Sequence, residues 1–228
     1  MAFTGIKTAC VIVAHADDEI LGCGGTMARL SEQGTNVHVA FMTDGIGARA
    51  NSSADLKSER EEMAQKANRI VGSASIDFAG FPDNAMDSVP LLDITRHVES
   101  VVARYQPELI ITHSSCDLNI DHQRTFRAVM TACRPQPGHC VKTILSAEIA
   151  SATNWSAEAS AHRFSPNLFV DITRQLDRKM EALKAYAVEM RDFPHTRSLE
   201  ALEARTRVCG TDVGVKAAEA FTVVRQII

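Results

Sequence analysis

Apolar runs and amphipathic stretches alternate along the first part of the chain. Short continuous apolar runs read as buried strands, and apolar positions recurring every three to four residues read as helices. Strands are expected at Thr8–Ala14, Val37–Met42, Ile76–Phe81 and Leu109–Thr112. Helices are expected at Gly25–Glu32, stopped near Gly34, and at Asp55–Val71, with Met63, Ala67, Ile70 and Val71 on one face and Gly72 at its end. Two more are expected at Leu91–Tyr105, stopped before Pro107, and from about Asp121 to Cys133, ended by Pro135. This alternation predicts an α/β fold: a doubly wound, mostly parallel, Rossmann-like sheet with helices on both faces.

After Pro137 the pattern changes. Lys142–Glu148 and Asn167–Ile172 read as strands, Leu176–Arg191 and Leu199–Arg207 as helices, and Ala220–Ile227 fits either. The Ser/Ala-rich piece Ser151–Ala161 reads as a long mobile loop. No repeat, low-complexity tract or linker interrupts the chain. The expectation is one domain over residues 1–228, with a doubly wound core at 1–135 and a substrate-side extension at 136–228.

Composition narrows the function classes. With 45% hydrophobic and 23% charged residues the chain is ordinary globular protein. A formal charge of −4 argues against nucleic acid as a partner. No segment approaches the ~20 apolar residues of a membrane span, and the N-terminus lacks a leader pattern, so a cytoplasmic location is expected. The six cysteines form no C-x-x-C pair, which argues against a zinc knuckle and for reduced thiols. Cys116 is the one nearest the chemistry described next, and no basic group stands ready to activate it.

The first strand ends in His15-Ala16-Asp17-Asp18-Glu19. Imidazole and carboxylate are ligands of catalytic zinc, and a spare carboxylate beside the metal suits a general base. In a sheet of order 3-2-1-4 the first and fourth strands are neighbours, and ligands bind outside their carboxyl ends, where the winding reverses. The fourth strand runs into His113-Ser114-Ser115-Cys116-Asp117-Leu118-Asn119-Ile120-Asp121-His122. Two ligand-rich segments thus converge on one crevice. His15 and Asp18 supply two metal ligands, and His122, with His113 as the alternative, supplies the third. Asp17 is then the proton acceptor, and Glu19 joins the helix N-terminus, where a carboxylate is stabilised. The bland reading of Asp-Asp-Glu, helix capping alone, leaves the second segment unexplained. Gly22-Cys23-Gly24-Gly25 lacks the third glycine of a dinucleotide loop and is read as room for the metal turn.

These residues resemble the LmbE/PIG-L family of zinc-dependent N-acetyl-sugar deacetylases. The likeness rests on Val11–Gly25, Met42–Gly45, Arg60-Glu61-Glu62 at a helix start, Phe81-Pro82-Asp83-Asn84, Thr112–Arg124 and Asn167–Tyr186. It looks closest to bacterial members that act on amino sugars in surface-polysaccharide or related pathways. The resemblance implies zinc, or another divalent ion such as Fe2+, on His15, Asp18 and His122, with Asp17 as general base and Arg60 on the substrate. Two positions depart from the family pattern. Ala16 replaces the usual proline, and Asn119 replaces a histidine that polarises the carbonyl or protonates the leaving amine. Asn119 can donate to an oxyanion but delivers no proton, so His195, or else His113, is the expected acid.

Asp83, Asn84 and Asp87 follow the third strand and suit a hydroxyl-rich sugar, although Pro82-Asp83-Asn84 is also a good turn. Arg197 and Arg207 are candidates to grip a phosphate on the substrate, and Trp155 to stack on a sugar ring. Leu176, Met180, Leu183 and Tyr186 share a helix face and read as core or subunit contact. The expected activity is hydrolysis of the acetamide of an N-acetylated amino sugar, free or nucleotide- or lipid-linked, by a chain that can form a homo-oligomer. Alternatives are hydrolysis of another small amide or thiol-conjugated sugar, and a non-catalytic sugar- or nucleotide-binding module.

Overall fold

A computed structural model describes residues 5–43, 45, 54–156 and 163–228. The described elements run β1 (Thr8–Val13), α1 (Asp18–Glu32), β2 (Asn36–Thr43), α2 (Ala54–Val71), β3 (Ser75–Phe81), α3 (Leu91–Tyr105), β4 (Leu109–Thr112), α4 (Ile120–Ala132), β5 (Thr143–Ala147), β6 (Leu168–Asp171), α5 (Leu176–Ala185), α6 (Leu199–Thr211) and β7 (Ala218–Gln226), with short 3-10 turns at Met86–Ser88 and Thr153–Trp155.

The strands form one seven-stranded sheet in the order β3-β2-β1-β4-β5-β7-β6. The expected 3-2-1-4 order is present, and Ala9 stands beside Leu109 where β1 and β4 pair. β7 is antiparallel to both of its neighbours, β5 and β6. It settles the ambiguous C-terminal segment as a strand, inserted between β5 and β6. The C-terminal region therefore continues the same sheet.

Alternation along the strands builds two cores. Val11, Val13, Val39, Phe41 and Ile111 face α1, α2 and α5, whereas Cys10, Ile12, Ala40, Met42 and Ile110 face α3 and α4. These strands are buried on both faces, which is why they read as unbroken apolar runs.

Three boundaries differ from the expectation. α1 starts at Asp18 and bends at Cys23, whose φ of −150° and ψ of 20° are not helical. The flanking glycines allow a close approach: a Cβ on Gly22 would stand 2.9 Å from Ile149 Cδ1, and one on Gly25 would stand 2.5 Å from Ile172 Cδ1. They make room for α1 against the sheet, not for the metal turn. The helix expected to reach Arg191 ends at Ala185, and Glu189 instead turns toward Arg60. Of the expected loop Ser151–Ala161, residues 151–156 carry a 3-10 turn, while 157–161 lie outside the described residues. Asp44 of the Met42–Gly45 stretch also lies outside them.

Candidate metal centre and active site

A cleft of about 340 Å³ opens at the carboxyl ends of β1, β3 and β4 and is lined in part by His15, Asp17, Arg60, Asp83, Asn84, Asn119, His122, Glu189 and Arg197. His15 leaves β1, Asp18 opens α1, and His122 sits in the first turn of α4.

The three expected ligands meet. His15 Nδ1 lies 3.1 Å from His122 Nε2 and 3.2 Å from Asp18 Oδ2, and His122 Nε2 lies 3.2 Å from that same oxygen. Zinc bonds of ~2.0–2.1 Å in tetrahedral geometry give ligand–ligand edges of about 3.3 Å, so the triangle fits such an ion. Two further observations fit it. Asp18 Oδ1 is buried with no hydrogen-bond partner. Carboxylates also outnumber imidazoles: Asp121 and Asp83 each stand 3.1 Å from His15 Nε2, and Asp117 stands 3.0 Å from His122 Nδ1. Burial opposes a proton on either ring, but these carboxylates outweigh it, raising His15 well above its ordinary value and His122 to about 9. Such a cluster favours positive charge, and a divalent cation supplies it.

Asp117 and Asp121 were not singled out in the sequence, although both lie in the segment that carries His122. Asp121 hydrogen-bonds the outward nitrogen of His15, and Asp117 stands in ion-pair range of the outward nitrogen of His122, an arrangement that commonly supports metal-binding histidines. Asp121 is itself held by the amides of Asn84 and Met86 at 2.6 and 2.9 Å, and Asp117 by the Thr153 hydroxyl at 2.6 Å.

Asp17 lines the cleft beside the triangle. Burial, opposed by Arg197 and assisted by Asp18, pushes its carboxyl up to about 6. Arg197 Nη1 donates to Asp17 Oδ2 at 2.8 Å, while its Nε donates to Ser151 Oγ at 2.6 Å. Arg197 thus braces the carboxylate and is not the free phosphate grip expected of it. Glu19 is fully buried, and burial raises it to about 8.

The remaining candidates divide. Asp83, Asn84 and Arg60 line the cleft, and Arg60 pairs with Glu189. Arg60 lies inside α2, not at its start. Asn119 caps α4, accepting from the Asp121 amide at 2.8 Å, and its amide group donates to Asn84 Oδ1 at 2.9 Å. His195 does not line the cleft: its Nδ1 accepts from the Arg197 amide at 3.0 Å and its ring stands edge-on to Trp155. It supports the turn carrying Arg197, and the acid role expected of it lacks the geometry. His113 is buried and stacked on His122 with centroids 3.8 Å apart, and burial lowers it to about 3. It is therefore neutral and no proton donor at ordinary pH. Asp87 is exposed on the 3-10 turn, Trp155 does not line the cleft, and Arg207 pairs with Glu203 on the outside of α6. Glu189 and Ser151 left no local signal, because their partners lie far away in the chain.

Comparison with known proteins decides the family. The family model described as PIG-L, GlcNAc-PI de-N-acetylase, matches residues 10–133, which carry His15, Asp17, Asp18 and His122. The chain belongs to the PIG-L family. It is 30% identical over 136 residues to an uncharacterized deacetylase, YaiS, of Escherichia coli K12, covering 58% of this chain and 70% of that one. It is 29% identical over 198 residues to the 4-oxalmesaconate hydratase of Pseudomonas putida, covering 79% and 73%. The solved N,N'-diacetylchitobiose deacetylase of Pyrococcus horikoshii superposes with a TM-score of 0.79 at 20% identity, over 98% of this chain and 86% of that one. PIG-L membership places the chain among the amidohydrolases, and its seven-stranded mixed sheet is the fold its relatives share.

Proposed function

We propose that this PIG-L member is a zinc-dependent hydrolase that removes the acetyl group from an N-acetylated amino sugar. The observation that carries the reading is the His15–Asp18–His122 triangle with Asp17 beside it in one cleft. A divalent ion held there supplies Lewis acidity, polarising a carbonyl and lowering the pKa of water toward ~7.

The chain's own residues then divide the work. Asp17 takes the proton of the attacking water and returns it to the departing nitrogen, so that one amide and one water become acetate and a free amine. This makes Asp17 the acid as well as the base. Asn119 keeps a second amide hydrogen for the oxyanion or a sugar hydroxyl. Asp83, Asn84 and Arg60 line the side of the cleft where the sugar would bind.

Metal analysis of the purified protein and acetate release from a panel of N-acetylglucosamine, N,N'-diacetylchitobiose and N-acetylglucosaminyl malate test the reading. The expected result is one equivalent of divalent metal, turnover of at least one substrate, and loss of turnover in Asp17→Asn with metal retained. Near-normal turnover in Asp17→Asn would overturn it.

The hydratase relative, matched over 79% of this chain, carries a second reading. In that reading Asp17 takes the proton of a water that adds across the double bond of an unsaturated carboxylate, in place of an amide carbonyl. Loss of conjugated absorbance without acetate release from any amide would favour it.

A further inference from the structure

Asp17 adopts φ 139° and ψ −26°, a left-handed backbone that a residue with a side chain rarely takes. Such outliers persist only where their surroundings impose them, and they gather at functional sites. The Asp17 carbonyl accepts from the Ile20 and Leu21 amides of α1 at 3.1 and 2.9 Å, and two side chains reach Asp17 as well. Arg197 engages its carboxylate from the cleft side. From the other side its backbone N–H donates to Glu19 Oε2 at 3.0 Å.

Glu19 is fully buried, does not line the cleft, and has no cationic partner among the described residues. A carboxyl in that position is costly unless hydrogen bonds hold it. Its other oxygen, Oε1, receives the Tyr186 hydroxyl at 2.6 Å and Asn68 Nδ2 at 3.0 Å. Tyr186 closes the C-terminus of α5 and Asn68 lies on α2. Both helices pack on the same face of the sheet as α1. The Glu19 side chain thereby links α2 and the end of α5 to the Asp17 amide. Tyr186, which the apolar spacing of its helix assigned to the core, supplies a hydroxyl to that strut.

We infer that Tyr186 is a positioning residue: through Glu19 it holds Asp17 in its strained turn, with the carboxylate in the cleft. The inference rests on the reading of Asp17 as the acid–base group, but part of its test does not. The substitution Tyr186→Phe keeps the buried ring and removes only the hydroxyl.

Amide hydrogen exchange on the zinc-loaded protein reads the strut directly, without a substrate. The Asp17 amide in Tyr186→Phe should exchange at least tenfold faster than in the wild type, while the Ile12 amide in β1 keeps its protection. On the best substrate of the panel, kcat should fall about tenfold or more with KM unchanged and zinc content intact. Tyr186→Phe added to Asp17→Asn should cost nothing further, since both act through one carboxylate. Unchanged Asp17 exchange, or a kcat loss that simply multiplies with that of Asp17→Asn, would overturn the inference. An active Asp17→Asn protein would instead overturn the assignment of the base and leave the exchange result standing. If Tyr186→Phe proves unstable, Asn68→Ala, which strips the other donor from Glu19 Oε1, gives the same exchange test.

Discussion

Lys179 Nζ and Glu219 Oε1 meet 2.6 Å apart inside the protein, directly behind the bend in α1. Each partner serves one side of the bend. Lys179 donates to the Leu21 carbonyl at 3.1 Å, and Glu219 accepts from the Gly25 and Thr26 amides at 2.9 and 2.7 Å. The bend at Cys23 breaks the helical ladder, and this pair satisfies the groups it frees. A buried pair adds little over an apolar replacement, but removing one partner strands the other charge, at about 3–5 kcal/mol. Glu219→Ala should fall in that range by chemical denaturation, with Lys179→Met close behind. A loss below about 1 kcal/mol in both would show that water replaces the pair.

Gly25 sits where this bend presses on Ile172, the residue just after β6. A Cβ there would stand 2.5 Å from Ile172 Cδ1 and 3.0 Å from Ile172 Cβ. Gly25→Ala should cost about 1–3 kcal/mol, the usual range for overpacking. The double variant with Ile172→Ala opens the space again, so it should lose less than the sum of the two single changes. Strict additivity of the denaturation free energies would refute the contact.

How far the sequence reached can be judged element by element. α3 and β4 lie where the apolar pattern placed them, because Pro107 punctuates the join and each element is buried in an ordinary way. The start of α1 was missed because Asp17, Asp18 and Glu19 signal a helix start while four residues later the glycines signal a break. Both signals are true, and the result is a bent helix. β7 was ambiguous since its apolar spacing suits either state, and only its slot between β5 and β6 decides. The convergence of His15, Asp18 and His122 was legible because each ends or begins an element at one sheet edge. The Arg60–Glu189 and Tyr186–Glu19 contacts join residues far apart in the chain, and no local pattern encodes them.

Asp121 hydrogen-bonds His15 Nε2 at 3.1 Å and Asp117 stands 3.0 Å from His122 Nδ1, behind the two histidines proposed as metal ligands. Losing such a support typically costs 10–100-fold in metal affinity or activity. Asp117→Asn and Asp121→Asn should therefore weaken zinc binding by that factor in a competition titration with a chromophoric chelator. Wild-type affinity in both variants would mean that the rings are fixed by packing alone.

Metal removal should register in stability as well as in turnover. A ligand that binds only the folded chain stabilises it by about 2.7 kcal/mol at a hundredfold excess over Kd. Dialysis against a chelator should lower Tm, zinc should restore it, and His122→Ala should show no response to either treatment. A His122→Ala protein that still gains stability from zinc would place the ion elsewhere.

Two histidines remote from the proposed metal site should each withdraw stability on mild acidification. Burial lowers the pKa of His38, with Arg104 adding to the shift and Asp77 opposing it; His38 is stacked on Tyr105 and bonded to Ser75. Burial likewise lowers His97, again opposed by Asp77; His97 meets Phe81 edge-on, and its Nε2 has no partner. In the unfolded chain both rings titrate near 6.5. Between that value and the lower folded one, the unfolded chain holds more protons. Folding free energy therefore drops as pH falls through this window and is fully present above it. The raised carboxyls of Glu19 and Asp17 act in the opposite direction over the same range, so the readout is the difference from the wild type in denaturation midpoints taken from pH 7.5 to 5.5. On acidification His97→Gln should gain relative to the wild type, and the variant with His38→Asn added should gain further. Slopes identical in all three proteins would assign the acid sensitivity to other groups, the buried His113 first among them.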